Sequence, residues 1–245
     1  MQIINEDLEF VEENRECSYF NNEISDMRYR YINHCGVEDY QNMLEHGWRR
    51  FGKMHFVPEC KTCTKCISMR IDVKNYKFSK SEKRVINKNK DTKLYIQTPS
   101  ISLDHLKLYD KYHKFMHDKK QWPYYPISPD DYSRSYVEGK DKFTKEFLYF
   151  KGEQLVAVAL VDILPESISS IYCFYDHEYA ELSLGKFSIL AQIKIAKELE
   201  IPYIYLGYWI KDHFSMGYKV NYMPFEILKN RASLKEDAIW EKYEL

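Results

Sequence analysis

Apolar and polar positions alternate along this chain with two distinct periods. In "CISMRIDV", Ile67, Met69, Ile71 and Val73 recur at every second position, which predicts a strand. Ahead of it the pattern predicts a helix over Val37–Glu45, with His46 in the last turn and Gly47 as the stop, and then one strand from Trp48 to Val57. Residues 79–90 predict a short basic helix. Residues 103–118 predict a longer one, with Leu103, Leu106, Tyr109, Tyr112 and Phe115 at helical spacing. The proline-rich "QWPYYPISPDD" closes that helical region.

From Lys145 the pattern turns to strands. "EFLYFKGEQLVAVALVDIL" predicts a hairpin turning at Lys151–Gln154, and "SISSIYCFYD" a third strand. "SLGKFSILAQIKIAKELE" predicts an amphipathic helix with Ser183 as its N-cap, and "PYIYLGYWI" a fourth strand. The aromatic stretch that follows, to Leu228, reads by pattern as an amphipathic helix. The order β-β-β-α-β predicts an α+β layer.

Composition narrows the class. With 44% apolar residues and few Gly or Pro, the 245 residues describe an ordinary globular chain. No apolar run approaches the roughly 20 residues of a membrane helix, and the acidic "MQIINEDLEF" is no signal peptide, so a cytoplasmic protein without a membrane partner is expected. That compartment changes how the six cysteines are read. Thiols stay reduced there, so Cys60, Cys63 and Cys66, spaced C-x-x-C-x-x-C, point to metal or redox chemistry and not to a disulfide staple. Zinc takes four such ligands, with Cys17 or Cys35 available as the fourth, and an iron–sulfur cluster uses the same spacing. Reduced, partly buried thiols are the alternative, and Cys173 reads as a core residue.

The net charge of -1 hides an asymmetry. Residues 1–26 hold eight acids and one Arg, whereas residues 74–93 hold eight Lys or Arg and two acids. A basic stretch flanked by Tyr76, Phe78 and Tyr95 suits a polyanion, against the alternative of a solvated helix face. Gly185 in "LSLGKF" follows a strand and opens a helix, where backbone N–H groups can meet an anion or oxyanion. Acetyl-CoA-dependent acyltransferases of the GNAT fold place their pyrophosphate loop here, but their Gln/Arg-x-x-Gly-x-Gly/Ala pattern is reduced to the one glycine. A GNAT-like C-terminal fold with an acyl donor other than CoA is therefore expected, joined to an N-terminal mixed, cysteine-containing region. The division is placed at 1–75 and 76–245, the two packed as one unit.

Longer motifs carry a family resemblance over nearly the whole chain. "CSYF" (Cys17–Phe20), "GWRRFGKMHFVPECKTCTKCISMRI", "FSKSEKR", "YDHEYAELSLGKFSILAQIKIA" and "YIYLGYWI" with "MGYKVNYMPFEIL" together resemble the bacterial aminoacyl-tRNA–protein transferases, the aspartate/glutamate leucyltransferases, which are relatives of eukaryotic arginyl-tRNA–protein transferase. The chain departs from their pattern at His177, at Glu82-Lys83, at His213, and around Lys229–Ser233.

The resemblance implies transfer of an amino acid, leucine in the bacterial members, from aminoacyl-tRNA to the α-amine of proteins that begin with Asp or Glu, marking them for N-degron degradation. The donor ester is already activated, so this chemistry requires no cofactor. The enzyme must align two substrates, take up a proton from an amine of pKa about 8, and stabilise an oxyanion. On that footing Lys83, Arg84 and Lys88 are expected on tRNA phosphates, with Tyr208 and Lys219 also on the tRNA side. Gly185 is expected at the ester, and Asp176 or Glu226 at the incoming amine. Arg49 and Arg50 are expected on the acceptor carboxylate, and Cys17, Cys60, Cys63 and Cys66 as a structural knot that holds zinc or an iron–sulfur cluster or stays reduced. Arginine as donor, a CoA-dependent N-acetyltransferase, and a non-catalytic tRNA- or N-terminus-binding module are the alternatives.

Overall fold

A computed structural model describes residues 8–244. Its strands are β1 (Leu8–Glu16), β2 (Ile24–Tyr31), β3 (Arg49–Phe51), β4 (Met54–Pro58), β5 (Ile67–Asp72), β6 (Thr92–Gln97), β7 (Thr144–Lys151), β8 (Gln154–Ile163), β9 (Ser167–Tyr175), β10 (Tyr203–Trp209), β11 (Phe225–Leu228) and β12 (Trp240–Lys242). Its α-helices are α1 (Val37–Glu45), α2 (Lys80–Lys88), α3 (Leu103–Lys120), α4 (Pro129–Tyr132) and α5 (Leu184–Glu198). The strands form a four-stranded sheet, β1-β2-β4-β3, and an eight-stranded sheet, β12-β11-β5-β10-β9-β8-β7-β6. This is the α+β architecture expected, with the predicted order β7-β8-β9-α5-β10 at its centre. β5 comes from the cysteine-containing stretch and lies between β11 and β10, so early and late parts of the chain share one sheet.

The large sheet is covered on both faces. Ile189, Leu190 and Ile193 of α5 pack with Tyr149, Val156 and Ala157 on one side. Leu108, Tyr112 and Met116 of α3 pack with Leu148, Val158 and Phe174 on the other. Leu148 and Tyr149 on β7, and Ala157 and Val158 on β8, face opposite sides, as the two-residue period of a strand requires. A third cluster joins Tyr40, Met43 and Leu44 of α1 to Trp48, Phe143 and Tyr205.

Three sequence expectations are corrected. Trp48–Val57 is not one strand, because the chain turns at Gly52, where φ is +54° and an added Cβ would strike the backbone oxygen of Arg134. Ser183 does not cap α5 with its side chain. It sits in the left-handed region (φ 52°, ψ 49°) as the hinge between a 3-10 turn, His177–Leu182, and the helix. After β10 there is no amphipathic helix. A short 3-10 turn, Gly217–Asn221, leads into β11, because Lys219 turns inward to the β10 backbone and Gly217 and Pro224 interrupt any longer run. The pattern also passed over β1, β2, β6 and α4.

Candidate active site where two strands part

β10 runs parallel to β9 only over Tyr203–Tyr205, opposite Ser167–Ser169. Beyond Tyr205 its register shifts, and Gly207–Trp209 pair with β5 alone. Gly207 sits at this bulge with φ +80°. An isolated glycine within an apolar strand is the signal of such a bulge, and it was present in "PYIYLGYWI".

The bulge keeps room for two cations. A Cβ built on Gly207 would stand 3.7 Å from Arg49 Nε and 3.7 Å from Lys219 Nζ. Arg49 is buried. One of its terminal nitrogens donates to Trp48 O at 3.0 Å, while Nε and the other have no partner among the described residues. Its guanidinium lies over the rings of Tyr205 (5.2 Å) and Tyr208 (6.0 Å), and burial lowers its pKa. Lys219 Nζ donates to Tyr208 O at 2.6 Å. Burial first, and Arg49 next, push its pKa down to about 7. A guanidinium with two unused donors, in a dry setting beside a second amine, favours an anion.

Tyr208 also lines a cavity of about 360 Å³ under the four-stranded sheet, together with Tyr19, Phe20, Phe51, Phe56 and the four expected cysteines. Its hydroxyl donates to Gly47 O at 3.0 Å. Tyr208 and Lys219 are therefore inside the molecule and meet a ligand only from within.

The cysteines Cys17, Cys60, Cys63 and Cys66 do come together on this wall. Burial, then the three other thiols, push the Cys66 thiol up to about 12. Arg231 clamps their loop by donating to Cys60 O (2.8 Å) and Cys63 O (2.7 Å). The donor set is right in kind for zinc or an iron–sulfur cluster. Among the described residues no group of three or more His, Cys, Asp or Glu is placed to hold a metal.

The other expected residues divide. Arg50 points away from Arg49, as neighbours on a strand must. Its guanidinium meets the buried Asp162 at 2.5 and 2.9 Å, and further bonds go to Thr144 Oγ1, Gly52 O and Gly139 O. Burial works against its charge, but Asp162 overrides this and holds the pKa above its ordinary value. Glu226, on β11, pairs with Arg70 at 2.7 Å. Asp176, at the end of β9, accepts from Lys111 Nζ at 2.8 Å and from the Glu178 N–H at 3.0 Å. β5 and β10 lie between β11 and β9, so Asp176 and Glu226 do not share a site. Gly185 opens α5, and an added Cβ would lie 2.9 Å from the Tyr175 ring. Lys83, Arg84 and Lys88 are exposed on α2, where Ser79 and Glu82 form a capping box and Glu82 also accepts from Tyr76 OH at 2.7 Å. Lys88 reaches Glu181 O at 3.4 Å, which ties α2 to the loop before α5.

This geometry can be set beside known proteins. Residues 15–84 match the family described as "Arginine-tRNA-protein transferase, N terminus", and residues 104–229 match "Arginine-tRNA-protein transferase, C terminus". The chain belongs to this family. It is 46% identical over 236 residues to the aspartate/glutamate leucyltransferase of Helicobacter hepaticus, covering 96% of this chain and 98% of that one. It is 47% identical over 228 residues to the enzyme of the same name from Campylobacter jejuni subsp. jejuni serotype O:6, covering 93% and 95%. Among solved structures, L-PGS from Bacillus licheniformis is a distant likeness, with a TM-score of 0.45, 13% identity, and coverage of 72% of this chain and 51% of that one. The chain is thus an enzyme, an aminoacyltransferase of the aminoacyl-tRNA–protein transferase class. No described helix is long and apolar enough to cross a membrane.

Sequence reasoning missed Lys111, which bridges Asp176 and Glu178 from a different helix. It also missed the contact of His113 Nε2 with Tyr172 OH at 2.7 Å, beside the parted strands. Neither has a local spacing that announces it, because both depend on α3 packing across the sheet.

Proposed function

We propose that the enzyme transfers leucine from leucyl-tRNA to the α-amine of proteins whose first residue is Asp or Glu, in the cytoplasm, where charged tRNA is available. The two relatives named above carry leucine and the two acidic residues in their names. The structural observation that carries the acceptor half is the buried Arg49, with two donors unused beside Lys219. An acidic side chain supplies the missing acceptors, and an amide supplies neither the charge nor the paired oxygens.

In the reaction the acceptor amine nitrogen attacks the ester carbonyl. The bond from that carbon to the ribose oxygen breaks, and the proton shed by the amine ends on that oxygen. The ester is already activated, so the protein's part is alignment and charge stabilisation. Arg49 and the rings of Tyr205 and Tyr208 fix the acceptor side chain. Asp176 holds Lys111 and the turn before Gly185, so its role is to position the loop whose N–H groups face the ester. Glu226 keeps Arg70 in place. Lys83, Arg84 and Lys88 take acceptor-stem phosphates, and Tyr208 and Lys219 serve the cavity from inside. The stretches 1–75 and 76–245 act as one unit, because β5 carries the cysteine-bearing stretch into the large sheet.

Competition between Asp- and Asn-starting peptides tests the acceptor assignment. A desolvated charge-assisted pair of bonds is worth roughly 1.5–3 kcal/mol, so the wild type should prefer Asp by about 10- to 150-fold in kcat/KM. Arg49→Lys keeps the charge, removes the fork and should cut that preference. Full selectivity in Arg49→Lys would place the fork on other residues.

A further inference from the structure

A run of alternating rings and lysines crosses the surface from the loop after β9 to the mouth of the cysteine-lined cavity. His177 in that loop stacks on Phe115 of α3, with centroids 4.1 Å apart and planes within 4°. Lys119 Nζ lies 5.2 Å from the centre of the Phe115 ring. Lys120 Nζ lies between Trp122 (5.7 Å) and Phe214 (5.9 Å). Phe214 leans on His213 at 4.6 Å, and His213 meets the edge of Phe20 at 5.6 Å. Lys65 Nζ lies 4.4 Å over Phe20, and Phe20 is part of the cavity wall. Phe214 is 70% exposed, whereas Phe115, Trp122 and Phe20 are half-buried, so it is the most open ring of the run. At the other end of the run, Lys88 of α2 touches the same loop that carries His177.

Cations interleaved with rings that keep part of their surface in solvent are the signature of a surface for single-stranded nucleic acid. Bases stack on the rings, phosphates pair with the lysines, and no base sequence is read. A duplex would not use this surface, because its base faces are already stacked on one another. We infer that this strip, His177–Phe115–Lys119–Lys120–Phe214–Phe20–Lys65, carries the single-stranded 3′ end of the aminoacyl-tRNA from the basic helix α2 to the cavity. The inference rests on the transferase reading above and adds the path by which the ester reaches the site. It separates two parts of the tRNA surface, with α2 on stem phosphates and the strip on unpaired nucleotides.

The test uses the full-length protein in two assays. The first is transfer from charged tRNA to an Asp-starting peptide. The second is binding of a dye-labelled single-stranded RNA copying the tRNA 3′ end, read by fluorescence anisotropy across a salt series. One base stacked on one ring predicts that Phe214→Ala raises the KM for charged tRNA about tenfold. The kcat and the KM for the peptide should stay as in the wild type, and Phe214→Trp should restore tRNA affinity. Lys120→Ala should flatten the plot of log binding constant against log salt by about 0.7, the slope of one single-strand phosphate contact. Unchanged tRNA KM and salt slope in both variants would overturn the strip as the RNA path. A rise in the peptide KM instead would make it a protein-binding surface, which also overturns it. If the wild type transferred nothing from charged tRNA, the transferase reading would fail. The oligonucleotide assay would still decide whether the strip binds unpaired RNA.

Discussion

Arg49 and Arg50 are neighbours with opposite surroundings, and the strand period is the reason. Arg50 finds a carboxylate, a hydroxyl and two carbonyls inside the fold, whereas Arg49 finds two aromatic faces and one carbonyl. The sequence motif marked both, and nothing local to it could tell the structural arginine from the one with donors to spare. That distinction depends on Asp162, more than a hundred residues away. His55, on β4 near Arg50, shows the same dependence. Burial first, and Arg50 next, push its pKa down to about 4, against about 6.5 in an unfolded chain. Between those values the unfolded state binds the extra proton, so stability falls as pH drops from about 6.5 through 4 and is intact above 6.5. The expected loss between pH 7 and pH 5 is about 2 kcal/mol from this group. Denaturant unfolding of wild type and His55→Gln at both pH values measures it. Equal pH slopes in the two proteins would show that His55 titrates normally in the fold.

At the scale of elements, legibility followed the strength of the repeating pattern. β5, the β7–β8 hairpin, β9, α3, α5 and β10 were all visible, because each buries a periodic face in the core. β1 was not, since every residue of "LEFVEENRE" but Arg15 is exposed and no apolar alternation survives. The β3–β4 turn was hidden because apolar residues continue through it, and only Gly52 marks the corner. The reason for that glycine lies in a distant segment. Gly139 packs against Gly52, with an added Cβ at Gly139 only 2.6 Å from Gly52 O. This contact locks the small sheet onto the segment after α4. Gly52→Ala is expected to cost about 3 kcal/mol or more, because it adds a backbone clash to a left-handed φ. Gly152→Ala is the matched control. Its φ is +60° but nothing lies within 4 Å, so about 1 kcal/mol is expected. Thermal unfolding that ranked the two variants equally would contradict the locking role.

At the scale of the molecule, a near-neutral chain separates its charges. On β1, Glu9 pairs with both Arg28 and Arg30 of β2, while α2 exposes lysines and an arginine with no such ion pair among the described residues. A tRNA-binding face should therefore respond to salt through α2. Replacing Lys83 and Arg84 with Ala should weaken charged-tRNA binding and lower the log–log salt slope by about 2, one unit for each duplex phosphate contact. An unchanged slope would move the stem-binding surface elsewhere.

The central claim joins one donor to one class of acceptor, and a single incubation addresses both. Asp-starting and Asn-starting peptides are mixed with the enzyme and total charged tRNA, and the peptide masses are read afterwards. The account expects a leucyl increment on the Asp peptide and almost none on the Asn peptide. An arginyl increment, equal labelling of both peptides, or acetylation that depends on added acetyl-CoA in place of charged tRNA would contradict it.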